Sequence, residues 1–119
     1  MFNACSNVPL LNVLNFQTSL VTDMQFMFNG CEKVTSLEVT GFDTSRVTDM
    51  THLFASCQTL ISLDIHNCVT SEIKTMEAMF YDCINLENLE LGIKITNKVE
   101  NMNAVFQSCQ KLNSLDLSS

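Results

Sequence analysis

"FDTSRVTDMTHLFASCQTLISLDI" (Phe42–Ile65) restates the stretch "FQTSLVTDMQFMFNGCEKVTSLEV" (Phe16–Val39) that begins 26 positions earlier. The same 26-residue ruler sorts the rest of the chain. Cysteine recurs at Cys5, Cys31, Cys57, Cys83 and Cys109, and phenylalanine at Phe2, Phe28, Phe54, Phe80 and Phe106. Methionine holds Met24, Met50, Met76 and Met102, with Val21, Val47, Ile73 and Val99 in a column before it. After each cysteine come Val8, Val34, Leu60, Leu86 and Leu112, then Leu11, Leu37, Leu63, Leu89 and Leu115, then Val13, Val39, Ile65, Leu91 and Leu117. Seven columns held in register over four periods are the signature of a repeat array. Residues 1–119 form one such array, with a partial unit at 1–15 and full units at 16–41, 42–67, 68–93 and 94–119.

Within a unit the hydrophobic period changes. Val47, Met50, Leu53, Phe54 and Cys57 step by three, three, one and three, the spacing of one helical face. Thr48 or Asp49 stands where a helix cap belongs, and Thr22 followed by Gln25 fits a capping box. Leu63 and Ile65 then alternate with Ser62, Asp64 and His66, which reads as a short strand with one buried face. One such unit buries too little to be stable by itself, so its copies must stack. The expected fold is therefore an α/β repeat solenoid, with one short helix and one short parallel strand per 26-residue unit. Met1 falls in the column of Met27, Leu53, Met79 and Val105, and neither end carries a polar cap. The expectation is an excerpt of a longer array, or ends that associate with other copies.

Composition excludes several classes of function. The net charge of −7 opposes nucleic-acid binding, and the six lysines and arginines form no stripe. Apolar runs of three or four residues are too short to insert into a membrane. Met1 is not followed by the basic and apolar segments of a signal peptide.

The unit resembles that of the BspA-like leucine-rich-repeat family of surface proteins, F-D-T-S-x-V-T-x-M-x-x-M-F-x-x-C-x-x-L-x-S-L-D-L. Phe42–Ile65 matches it at nearly every position, and the resemblance covers the whole chain. It implies a curved leucine-rich-repeat solenoid within a surface or secreted protein, with adhesive or recognition roles and no particular ligand. There are departures from the pattern. The opening phenylalanine (Phe16, Phe42) becomes Cys68 and Lys94, with Ile93 and Ile95 as the expected substitutes in the buried layer. The Thr48-Asp49 pair becomes Lys74-Thr75 and Glu100-Asn101, which predicts weaker capping of the later helices. Hydroxyls at Thr18, Thr44, Thr70 and Thr96 are placed to satisfy turn backbone.

Chemistry-bearing residues are few. The in-register cysteines read as small buried apolar side chains, and no C-x-x-C spacing suggests a zinc centre. Cys68, near His66, is the one off-column cysteine. Catalysis needs an unrepeated constellation, and His52 and His66 are single, with no partnered nucleophile in view. The expectation is no enzyme, no cofactor and no metal centre.

One feature points outward. The exposed strand positions carry Glu38, Asp64, Glu90 and Asp116, with Asn12 in the partial unit and His66 on a flanking column. This acidic strip has two readings: a solvated face whose charges discourage sheet association, or a site for a basic peptide, a basic protein surface or weakly held calcium. Phe26 beside His52, with Tyr81 further along, offers a second face. The functional expectation is a non-catalytic recognition or adhesion module of a cell-surface or secreted protein, with a structural spacer as the alternative. The chain has no N-x-S/T sequon.

Overall fold

The sites of β-structure follow the alternation of apolar and polar residues after each cysteine. In a computed structural model that describes residues 7–92, 97–113 and 115, four short strands form there. They are β1 (Leu10–Leu11), β2 (Ser36–Leu37), β3 (Ser62–Ile65) and β4 (Asn88–Leu91). In β3, Leu63 and Ile65 are buried while Ser62 is exposed, as a strand with one covered face requires. The strands pair in parallel as two separate two-stranded sheets, β1 with β2 and β3 with β4. Ser62 is opposite Asn88, Leu63 opposite Leu89, Asp64 opposite Glu90 and Ile65 opposite Leu91. Each partner lies one repeat period away, so like columns meet.

The expected α/β solenoid is not the fold found. No helix occurs among the described residues, and the strands make two small sheets in a body of 35 × 31 × 20 Å. The physical reason lies in the stretch read as helical. Phe26, His52, Ala78 and Ala104 all have φ between 51° and 55°, and Gly30, Ser56, Asp82 and Ser108 lie between 58° and 70°. Two left-handed residues per unit prevent continuous right-handed helix. Between them the chain makes tight turns, with Met27, Asn29 and Cys31 donating to the carbonyls three residues back. The alternate amides leave the unit altogether. Phe26, Phe28 and Gly30 donate to Thr51, Leu53 and Ala55 at 2.8–3.0 Å, and His52, Phe54 and Ser56 donate to Glu77, Met79 and Tyr81 at 2.7–2.9 Å. A three-residue turn and a helix both bring positions i and i+3 to one side, which is why the apolar spacing did not separate them.

The residues read as caps serve these turns. Asp23 and Asp49 accept from the amides of Gln25 and Thr51, each at 2.8 Å. Thr75 and Asn101 do the same for Glu77 at 3.3 Å and Asn103 at 2.9 Å. This is side-chain capping of a turn two residues ahead, and it persists in the units expected to be weakly capped. The same four residues form successive parallel bridges, Asp23 to Asp49 to Thr75 to Asn101.

The core runs through the stacked columns. Phe28, Phe54, Phe80 and Phe106 stack at centroid separations of 5.5–5.6 Å with ring planes within 10° of parallel. Met24, Met50 and Met76 and the aliphatic columns close around them. Cys31, Cys57 and Cys83 are buried and Cys109 is half-buried, all as free thiols. Sulfur donates across units, from Cys57 to the Phe28 carbonyl at 3.2 Å and from Cys83 to that of Phe54 at 3.1 Å. Thr18, Thr44 and Thr70 are buried. The Thr18 hydroxyl accepts from the Asp43 amide at 2.8 Å, and that of Thr44 donates to the Val69 carbonyl at 3.0 Å. No helix among the described residues is long and apolar enough to cross a membrane. The replacement of the buried layer by Ile93 and Ile95 lies outside the described residues.

Candidate functional site: the strand face

The strand columns place Glu38, Asp64 and Glu90 on the outer face because their neighbours on either side turn inward. The face is not one continuous strip. Glu38 follows β2 in one sheet, whereas Asp64 and Glu90 pair directly in the other. Asp116, the fourth expected acid, lies outside the described residues.

Asn12, Glu38 and Asp64 also do local work. Asn12 accepts from the Leu14 amide at 3.2 Å, Glu38 from the Thr40 amide at 3.2 Å and Asp64 from the His66 amide at 2.9 Å. The Thr40 hydroxyl donates to the same Glu38 oxygen. At these three positions the column closes the turn that follows β1, β2 and β3, a role not apparent from the repeat alone.

Asp64 and His66 are held together by two hydrogen bonds on this face. Asp64 Oδ1 lies 2.6 Å from His66 Nδ1 while also accepting the His66 amide. The two hydrogen bonds from His66, backbone first and ring second, hold the Asp64 carboxyl below the usual range. Across the β3–β4 pair, Glu90 completes a group in which one ligand atom from each of Asp64, His66 and Glu90 lies within 4.8 Å of the others. Among the described residues no lysine or arginine pairs with Glu38, Asp64 or Glu90. The ion pairs of cationic residues run elsewhere, from Lys98 to Glu72 at 2.7 Å and from Lys111 to Glu87 at 3.8 Å.

Beside this cluster is a hollow of about 380 Å³, lined by His66, Cys68, Val69, Thr70 and Gly92 among others. The Cys68 thiol is pushed up to about 11, mainly by burial and further by the Asp64 charge, against a lowering hydrogen bond with Thr44. It is a protonated thiol in neutral water, poorly suited to nucleophilic attack.

The second face takes a different form from a helix surface. Phe26 and His52 stack with centroids 4.8 Å apart and planes 15° from parallel, on backbone held at positive φ. Tyr81 is 37% exposed further along.

Residues 1–119 match the model of a family described as "Mycoplasma protein of unknown function, DUF285". No curated protein and no solved structure matches the chain.

Proposed function

The chain belongs to the DUF285 family, and within it we propose a non-catalytic recognition module whose strand face binds a basic protein or peptide. The observation that carries this reading is the juxtaposition of Asp64 and Glu90 on paired strands, with no lysine or arginine paired to either among the described residues. Two carboxylates about 5 Å apart repel by roughly 1 kcal/mol even in water. An approaching lysine or arginine relieves that repulsion. Glu38 and the net charge of −7 extend the attraction beyond the pair. The resemblance of the unit to repeats of surface proteins supports a place at the cell surface or outside the cell, and an adhesive role.

Fluorescence anisotropy with a labelled lysine- and arginine-rich peptide tests this. Saturable binding that weakens with salt and is lost in the E38Q/D64N/E90Q variant supports the reading. Equal binding by that variant contradicts it. Asparagine at position 64 keeps the capping oxygen, so the turn is retained.

A structural spacer is the second reading. It is favoured by the turn-closing bonds of Asn12, Glu38 and Asp64, which account for this column without a ligand. Failure of basic peptides to bind the native chain selects it.

A further inference from the structure

We propose that Asp64, His66 and Glu90 form a site for a divalent first-row transition ion, with Zn²⁺ as the type ion. The three residues lie 2 and 26 positions apart, so the site exists only because β3 and β4 pair. One ligand atom from each falls within 4.8 Å of the others, close enough for all three to reach one ion after small side-chain rotations. The donor set is one imidazole nitrogen and two carboxylate oxygens. Such a mixture suits zinc or manganese, whereas calcium takes oxygen ligands alone.

Three features particular to this place support the choice. His66 occurs where the neighbouring units carry Leu14, Thr40 and Gly92, so no other unit can assemble the same set. Asp64 Oδ1 lies 2.6 Å from His66 Nδ1, so these two donor atoms already face one point, and an ion bound there replaces the ring hydrogen bond. Gly92 leaves the end of β4 without a side chain beside His66, and the hollow of about 380 Å³ opens at that point. Water or a donor from a partner can complete the coordination there. The Cys68 thiol borders the same hollow but is not among the three residues whose donor atoms cluster, so the ligands are nitrogen and oxygen.

Isothermal titration of the reduced full chain with ZnCl₂, followed in parallel by histidine ring resonances, tests the proposal. The expected result is one ion per chain, with His66 resonances shifting and those of His52 unchanged. His66→Gln and Glu90→Gln should each weaken binding at least about tenfold. Glu38→Gln and Cys68→Ser should leave it within about twofold, and CaCl₂ should not compete. Absence of saturable uptake, uptake undiminished in His66→Gln, loss on Cys68→Ser, or effective competition by Ca²⁺ would each overturn it. The titration contains no protein partner, so its failure and the failure of basic-peptide binding are separate results.

Discussion

Gly92 packs so closely on His66 that a Cβ built at the glycine would lie 1.7 Å from the His66 carbonyl oxygen and 2.4 Å from its carbon. These are backbone atoms and cannot swing aside. The end of β4 and the turn after β3 are thereby fixed against each other, which is also what holds His66 beside Glu90.

Gly92→Ala is therefore expected to destabilise the fold by at least about 2 kcal/mol, at the upper part of the range for forced overpacking. Gly41 is the control. A Cβ there has its nearest contact at 3.7 Å, from the Leu14 oxygen, an ordinary van der Waals distance. Gly41→Ala should change stability by no more than about 0.5 kcal/mol. Urea denaturation of the two variants checks the difference, and equal losses would show that the β3–β4 approach is looser than described here.

Left-handed backbone makes a second, unusual prediction. Ala78 has a φ of 51° and Ala55 is not among the positive-φ residues, although both are buried alanines in the core region. Replacing Ala78 by glycine relieves a conformational cost of about 1–2 kcal/mol and should hold or raise stability. Ala55→Gly should lower it by about 1 kcal/mol. Thermal melting of both variants is sufficient. A loss at Ala78 as large as that at Ala55 would restore the helical reading of this stretch.

The phenylalanine stack predicts where truncation hurts most. Phe54 is buried and stacks on both Phe28 and Phe80, so Phe54→Ala should cost about 3–5 kcal/mol. Phe26 is 39% exposed and touches one ring, that of His52, among the described aromatic pairs. Phe26→Ala should cost about 1 kcal/mol. Denaturant midpoints compare the two.

Alkaline stability follows from the thiols. Burial pushes Cys83 from an ordinary 9.0 up to about 12, and Cys68 up to about 11. A folded-state value above the unfolded one gives a contribution present in full below the unfolded value. As pH rises through 9.0 the unfolded chain loses these protons and the folded chain keeps them, so stability falls until the folded groups titrate as well. Unfolding free energy measured from pH 8 to 11 should decline, and Cys83→Ala should decline less steeply whatever its starting stability. An unchanged slope in that variant would argue that Cys83 is open to solvent.

The buried columns and the strand positions were legible because burial repeats with the sequence. Phe28, Phe54 and Phe80, or Leu63 and Ile65, carry their environment in their own chemistry. The conformation between Met24 and Cys31 was not legible. Val47, Met50, Leu53 and Cys57 have the spacing of a helix, and the competing signal was a pair of quieter columns. Gly30, Ser56, Asp82 and Ser108 mark one left-handed position with small or polar residues that bear it comparatively well, and Asp23, Asp49, Thr75 and Asn101 mark the capped turn. The amides there gain partners in the next unit that a short isolated helix could not supply, and short helices are costly to nucleate. Phe26, Ala78 and Ala104 gave no warning, since such side chains rarely take positive φ. On the strand face the acids were visible, but the cluster of Asp64, His66 and Glu90 needed the pairing of β3 with β4 to bring together residues from two units.

The central claim is that alternate amides of the turn segment bond to the next unit and not within their own. Scalar couplings across hydrogen bonds, measured by NMR on isotopically labelled protein, test it at single residues. Coupling from the Phe54 amide to the Met79 carbonyl, and from His52 to Glu77, is the predicted result. Coupling of the Phe54 amide to the carbonyl of Met50, four residues back in its own unit, would contradict the account.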